Sequence, residues 1–466
     1  LALGCPKPIA PESLPKAPEV SAEVKALQGV SQKIIDATLA ENRAYARLAE
    51  LCDGVGHRLS GSPGLEKAIE WAKKAFAEDG QSAIRAEPVS VRRWVRGNES
   101  LSMLSPREES LVMLGLGNSV GTPAAGITGE VVSVRDEKEI EALGDSAKGK
   151  ILLFNNAMPP YDEKTGTHYG EAVRFRFGGA MIGAKLGATA VLVRSVTARS
   201  LRSPHTGATS YRGLAEGLPK LPAAAVSVED AEMLDRLYRA GKRPTVRLMM
   251  EAHDEGEVPS ANVVAEFRGR EKPDEIVLLG AHLDSWDVGQ GAHDDGAGVV
   301  IVMEALAQLR RLGLQPKRTI RVVLYTNEEN GLAGGRQYAI DHAAELPKHV
   351  AAIEADIGGF RPVGLSVDFP EKTPEAEQAM VKARLTEVLS LVAPLKATRL
   401  DTGDSGADIG PMLGKGPLLM GFQVDTATYF DYHHTHADTL DKVNPQELSQ
   451  CVAAMAVFAY ALAEVL

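Results

Sequence analysis

Between residues 281 and 298 the chain reads AHLDSWDVGQGAHDDGAG, setting Asp284, Asp287, Asp294 and Asp295 beside His282 and His293. Crowded carboxylates oppose one another's ionisation, so this density requires a positive partner. Three further groups follow: Asn327-Glu328-Glu329, then Asp356, then YFDYHHTHADT (429–439), which adds His433, His434 and His436. Imidazole nitrogens mixed with carboxylate oxygens, with no cysteine among them, suit a hydrolytic zinc better than a structural one. A single dication would neutralise too few of these acids, so two zinc ions are the expected cofactors. The glycines of DDGAG are not followed by the lysine of a phosphate loop, which argues against nucleotide binding. They serve instead to let a helix start beside Asp294 and pack closely.

Something must bring these groups together, and the pattern between them shows what. Each cluster follows an apolar run: EIVLLGA (275–281), TIRVVLYT (319–326), HVAAIEA (349–355) and PLLMGFQV (417–424). Such runs suit strands buried on both faces. GVVIVMEALAQLRRLG, between the first two, has the length and spacing of a helix stopped by Gly313. This is the rhythm of an α/β sheet with a parallel core, in which ligands bind beyond the carboxyl ends of the strands.

Other parts of the chain read differently. Residues 119–253 turn to short β-rich runs punctuated by glycine and proline, and are expected to form a separate inserted unit. That leaves 23–118 and 254–466 as one discontinuous domain, behind a proline-rich linker over 1–22. Residues 23–51 carry apolar positions at helical spacing, and Ser62-Pro63 signals a second helix running to about Glu78. Asn444, Pro445 and Glu447 provide an N-cap, a first helical residue and a capping-box partner for a terminal helix docked on the core.

The totals bound the function. A chain of 466 residues, 44% hydrophobic, has enough apolar content for two or more globular units. Its net charge of −11 argues against a nucleic-acid partner, which would require a basic face. Cys5, Cys52 and Cys451 are too few and too scattered for a disulfide framework or a thiolate metal site. No stretch is read as reaching the roughly 20 apolar residues of a membrane span. The segment ending Gly4-Cys5 is similar to the end of a bacterial lipoprotein signal, which would put a lipid anchor on Cys5 and the protein outside the cytoplasm. An ordinary surface cysteine is the other reading.

GAHLDSWDVGQGAHDDGAG, NEENGLAGGRQYA, EADIGGF and YFDYHHTHADTLDKV resemble, in order and spacing, the motifs of the co-catalytic zinc aminopeptidase family. Within the insert, AKGKILLFNN, GAKLGATAVLVRS and LPAAAVSVEDAEML resemble the protease-associated domain found in several peptidase families. The likeness implies an α/β zinc exopeptidase fold: a mixed, largely parallel sheet with helices on both faces, carrying a small β-rich insert. It also implies that His282 and Asp356 hold one zinc, that Glu329 and His434 hold the other, and that Asp294 bridges both. Asp284 would orient the His282 imidazole. Glu328 would be the general base, taking the proton of a zinc-activated water and passing it to the leaving amine. Short peptides, chiefly dipeptides with free termini, are the expected substrates, and similar enzymes are often homodimers. A glutaminyl cyclase-type zinc transferase and a metal-depleted receptor-like scaffold are the alternatives; the filled ligand positions count against both.

Several residues stay open at this stage. Asp287 and Asp295 either support the ligands or are plain surface charge, and His293 is structural or lines the pocket. His433 is a candidate substrate contact, whereas His436 is only its neighbour. Cys451 is expected to be buried and inert. The loop SPHTGATSYRG (203–213) is either an ordinary exposed loop or a lid over the metal cleft.

Overall fold

Residues 20–466 are described by a computed structural model, so Cys5 and the linker around it lie outside the described residues. Helices Ala22–Ala26, Gln28–Ala40 and Ala44–Gly54 come first. Helix Pro63–Glu78 starts where the sequence signals it, with Pro63 in the first turn and the Ser62 side chain accepting from the Leu65 N–H at 3.3 Å. Its buried Leu65, Ala68, Ile69, Ala72, Ala75 and Phe76 recur every three or four residues, so one face turns inward.

Strand β1 (Ser82–Val95) follows, and at its far end the chain leaves the main sheet. The excursion builds a second sheet from β2 (Glu99–Ser105), β3 (Glu109–Leu111), β4 (Met113–Gly115), β5 (Ile127–Val134), β6 (Ile151–Phe154), β7 (Ala190–Arg194), β8 (Ala223–Val226) and β9 (Thr245–Met250). Their spatial order is β3-β2-β9-β5-β6-β7-β8-β4, with β5 to β8 parallel. Two expectations are corrected here. The excursion is not simply β-rich, because parallel neighbours need crossovers, and helices such as Glu137–Ala142 and Arg174–Lys185 supply them. Its sheet also begins at Glu99 rather than at 119. The polar run ESLSMLS carries little local signal, and it joins this sheet by pairing with β9, Leu101 opposite Leu248, which buries Leu101 and Met103.

The chain returns in β10 (His253–Phe267), which pairs antiparallel with β1 from Val95↔His253 to Ser82↔Glu266. Departure and return are therefore neighbours. Asn98 and Glu251 tie the two crossing segments together through Glu251 N–H to the Asn98 carbonyl and Asn98 N–H to the Glu251 carboxylate, both at 3.0 Å.

The main sheet is completed by β11 (Lys272–His282), β12 (Arg318–Tyr325), β13 (His349–Glu354), β14 (Pro362–Asp368), β15 (Arg399–Thr402) and β16 (Leu418–Val424), in the order β1-β10-β12-β11-β13-β16-β14-β15. β12, β11, β13 and β16 run parallel, and antiparallel pairs flank them, so the sheet is mixed with a parallel core. Alternation sends Val277 and Leu279 to one face, against helices Gly298–Arg311 and Pro445–Val465, and Ile276 and Leu278 to the other, with Tyr338 and Ile409. Both faces are covered, as the apolar runs require.

Helix Pro445–Val465 corrects one expectation, since by length and composition it could cross a bilayer. Here 72% of its apolar stretch is buried inside the protein, where it packs as a core helix. The Asn444 side chain caps it by accepting from Gln446 and Glu447 N–H groups. Cys451 lies within it, fully buried, its thiol donating to the Phe360 carbonyl at 2.8 Å.

Candidate metal centre

His282 is the last residue of β11, Glu328 and Glu329 lie just beyond β12, and Asp356 lies just beyond β13. Parallel register lines these strand ends up, Gly280 opposite both Val323 and Glu354, so their side chains share one edge of the sheet. Asp294 comes from the irregular turn 292–297 ahead of helix Gly298–Arg311. That helix approaches the end of β13 so closely that a Cβ on Gly298 would lie 2.0 Å from the Ala355 carbonyl oxygen. His434 arrives from the loop after β16, with its backbone in the left-handed region at φ +61.

Asp294 divides the cluster. Its Oδ1 lies 3.3 Å from His282 Nε2, which is itself 3.0 Å from Asp356 Oδ1. Its Oδ2 lies 3.2 Å from His434 Nε2, which is itself 3.2 Å from Glu329 Oε2. His433 stands beside this second pair, its ring stacked on His434 at 3.6 Å and its Nε2 3.8 Å from Asp294. Ligand-capable atoms converge in three overlapping groups, His282–Asp294–Glu329, Asp294–His433–His434 and His282–Asp295–Asp356, each within 4.8 Å. Among the described residues, buried Glu329 Oε1 has no hydrogen-bond partner, which leaves its lone pairs open to a cation. Mixed nitrogen and oxygen donors in a buried cluster fit zinc.

The electrostatics point the same way. Burial, reinforced by Asp356, Asp284 and Asp294 for Glu328 and by Asp294 for Glu329, pushes both carboxyls well above the usual range. Burial also raises Asp356. Burial opposes charge on Asp294, yet hydrogen bonds from His282 and His434 hold it well below its ordinary value. His282 is likewise opposed by burial, but Asp356 and Asp294 hold its imidazole well above normal. Buried acids packed around two imidazoles form a site whose charge a divalent cation would balance.

The residues around the ligands differ in part from expectation. Asp284 touches the His282 ring through its backbone carbonyl, 3.0 Å from Nδ1, while its carboxylate is 3.8 Å away. That carboxylate instead accepts from the N–H groups of Glu328 and Glu329 at 3.1 and 3.4 Å and from the Ser60 hydroxyl at 3.0 Å. Asp295 is fully buried, accepting from His282 and Gly298 N–H groups, so it is a support rather than surface charge. Asp287 makes a two-pronged pair with Arg96. His293 is sandwiched between Phe360 and Tyr432 and is structural. His436 is exposed.

Among the other supports, Asp438 stands in the YFDYHHTHADT stretch already singled out, whereas Arg58 carried no sequence signal. Asp438, fully buried and pushed up to about 7 by that burial, accepts from the N–H groups of His293 and Asp294 at 2.7 and 3.1 Å. Buried Arg58 holds the 283–291 segment by donating to the Leu283, Gln290 and Gly291 carbonyls. From the excursion, Thr206 N–H donates to the His434 carbonyl at 3.0 Å, and the Thr206 carbonyl lies 3.3 Å from His434 Nδ1. The middle of the 203–213 loop is thus buried against His434 rather than exposed. Arg176 and Tyr169 join it, and with Asp294, Glu328, Asp356 and His433 they line a cavity of about 1210 Å³ shared by both sheets.

The profile of peptidase family M28 matches residues 262–459. Carboxypeptidase Q of Bos taurus is 41% identical over 449 residues, covering 96% of this chain and 91% of that protein. Among solved structures, a peptidase M28 precursor from Shewanella amazonensis SB2B superposes with a TM-score of 0.86 at 36% identity, over 94% of this chain and 97% of that one. A zinc aminopeptidase from Bacillus subtilis shares the fold, with a TM-score of 0.63 at 18% identity, over 90% and 93% of the two chains.

Proposed function

We propose, from the premise that this chain belongs to peptidase family M28 and is a zinc-dependent exopeptidase, that it cleaves short peptides, chiefly dipeptides, with two zinc ions. The observation that carries this reading is the division of Asp294, one oxygen toward His282 and Asp356 and the other toward His434 and Glu329. Two dications held there would be met by His282 and Asp356 on one side, His434 and Glu329 on the other, and Asp294 between them. A metal-depleted scaffold would have no use for such an arrangement.

Zinc bound there would lower the pKa of a water and polarise the scissile carbonyl. Glu328 is the group placed to move protons: its half-buried carboxylate lines the cavity and has no hydrogen-bond partner among the described residues. It takes the proton of the attacking water and delivers it to the leaving amine nitrogen. Asp284 fixes the backbone of Glu328 and Glu329 together, so the base and its neighbouring ligand keep one geometry. Asp438 does the same for Asp294. His433 forms the cavity wall beside the ligands and contacts substrate there.

Because the second sheet roofs part of the cavity, small peptides enter more readily than folded chains. Carboxypeptidase Q, the 41% identical relative, supports an exopeptidase over an endopeptidase. An extracytoplasmic location, with lipid on Cys5, rests on the Gly4-Cys5 sequence; mass spectrometry of protein from the native membrane would decide it, and an unmodified cysteine would end the idea.

Zinc analysis of purified protein, with assays on free, N-blocked and C-amidated dipeptides, a decapeptide and a folded protein, tests the whole reading. Two zinc ions per chain and turnover confined to short substrates are expected. One zinc, or equal turnover on the folded protein, would overturn it.

A further inference from the structure

The cavity over the metal centre is larger than a dipeptide needs. Its volume of about 1210 Å³ exceeds the roughly 300–1,000 Å³ of sites that enclose drug-sized ligands, and a dipeptide spans at most about 7 Å. An open site of this size leaves water around the scissile bond, and water weakens every charge interaction there. Something must close over so small a substrate, and one segment of the inserted unit is built to do so.

Residues 159–168 run between two anchors, Met158, which is buried, and Tyr169, whose ring stacks on Phe430 at 4.9 Å. No residue between those anchors is buried. The segment is ordered from within. Asp162 and Gly166 exchange backbone hydrogen bonds at 3.1 and 2.8 Å, and the Asp162 carboxylate accepts from the Lys164 and Thr165 N–H groups at 2.9 and 3.2 Å, which makes an Asx turn at the tip of a small hairpin. Thr165 Oγ1 meets His168 Nε2 at 3.0 Å. Among the described residues, no hydrogen bond or ion pair joins 159–168 to anything beyond the short helix Tyr169–Ala172. The stem residues Tyr161 and Thr167 line the large cavity and also a second one of about 230 Å³, walled on its far side by parts of 197–199 and 426–431. The hairpin therefore has open space on both sides. At one end His168 holds φ +58, a left-handed conformation from which the extended region is open to it. At the other end Pro159 and Pro160 have no N–H that a movement could strip of a partner.

We propose that residues 161–167 are a flap that swings about Pro160 and His168 to close over a bound dipeptide, and that its closure sets the length of peptide cleaved. This deepens the dipeptide reading above and rests on it. The hairpin moves as one piece, because the Asx turn and the Asp162–Gly166 pair travel with it, and no hydrogen bond to either sheet has to break first. Glu163, Lys164 and Thr165 already line the cavity, so a short swing brings them onto the substrate. Closure removes water from around Glu328 and the metal ligands, so the base exchanges its proton with substrate rather than with solvent. A dipeptide ends beneath the flap. Each further residue adds about 3.3–3.6 Å of chain, which would have to pass where the closed hairpin lies.

Hydrogen exchange on the zinc-loaded full chain, with and without a reduced dipeptide in which CH2–NH replaces the scissile amide, reads the closure. Backbone amides of 163–167 should exchange about tenfold more slowly with the ligand bound. A variant in which two glycines replace residues 162–166 reads the length limit. Its kcat/KM on a dipeptide should fall about 10²-fold, and its preference for that dipeptide over a tetrapeptide extending it at the carboxyl end should fall about tenfold, with zinc content unchanged. Asp162→Ala, which loosens the turn without shortening the chain, should move the same preference in the same direction by less. Exchange that the ligand leaves unchanged overturns the flap. So does a shortened variant that falls equally on both peptides, or one that sheds zinc, since the hairpin would then only support the centre. A wild-type enzyme that cleaves the tetrapeptide as fast as the dipeptide overturns the dipeptide reading and the length limit with it, while protection at 163–167 still decides whether the hairpin closes.

Discussion

On the His282 and Asp356 side of the centre, both groups stand at the ends of adjacent parallel strands, and their supports, Asp295 and the Asp284 carbonyl, come from the segment that follows β11 in the same domain. On the His434 and Glu329 side, the histidine sits in a loop with a left-handed backbone, and its carbonyl and ring meet Thr206 and Arg176 from the inserted unit. A strand ladder within the main sheet fixes the first half. In the second half Glu329 is held by the main domain through Asp284, but His434 is only as well placed as its contact with the inserted unit. Damage to the insert should therefore reach one half of the centre and spare the other.

The largest effect is expected at the general base, which belongs to neither half. Glu328→Gln keeps the size of the side chain but cannot accept the water's proton, and turnover should fall about 10²–10⁴-fold. Zinc content should remain that of wild type; a variant that stays active, or that sheds zinc, would reverse the roles of Glu328 and Glu329.

Next come the two halves taken singly. Glu329→Gln should weaken zinc at the His434 side, and Asp356→Asn at the His282 side, each beyond the roughly 10- to 100-fold that loss of an outer hydrogen-bond partner costs. Stepwise removal by a chelator, followed by zinc analysis, separates them. If either variant loses all its metal, the centre does not divide at Asp294.

Gly207→Ala sharpens the contrast from outside the main sheet. The added Cβ would strike the Arg176 guanidinium and would sit at an unfavourable φ. Zinc on the His434 side should weaken about tenfold, within the range for outer partners. Equal weakening at both halves in calorimetric titration would show that the insert supports the centre as a whole.

The smallest effect is a control at the amino ends of the strands. Burial opposes ionisation of Glu345, but Arg321 and His342 hold its carboxyl down to about 2. A depressed acid stabilises the fold above its unfolded pKa of about 4.3 and loses that contribution as the pH falls toward 2. Because the side chain is 35% exposed, solvent screening limits the contribution to about 1 kcal/mol. Glu345→Gln should lower stability near pH 7 by that amount and flatten the acid limb of the denaturation profile. Zinc affinity should not change at either half.

What could be read from the residues follows the same division. The parallel core and the positions of His282, Glu329 and Asp356 were legible because each group directly follows an apolar run, a pattern local to a few residues. Asp284 was seen but its use was not, since only the folded turn shows its carboxylate turned toward Glu328 and Glu329. The start of the second sheet was misplaced because ESLSMLS becomes a strand only through β9, far along the chain. Thr206 was seen only within a loop that could cover the cleft, and Arg176 and Tyr169 had no signal, for their role depends wholly on how two separately patterned units meet.

The pairing of Val95 with His253 also bears on the order in which the protein is made. All the strands of the second sheet lie between Glu99 and Met250, so every partner it needs has been synthesised before His253 appears. The first metal-ligand candidate, His282, comes only later. Once that unit has folded, it holds the two ends of the host sheet together and shortens the loop that β1 and β10 must close. The piece that looks like an interruption in the sequence is, on the ribosome, the part ready first, and the catalytic sheet is assembled onto it.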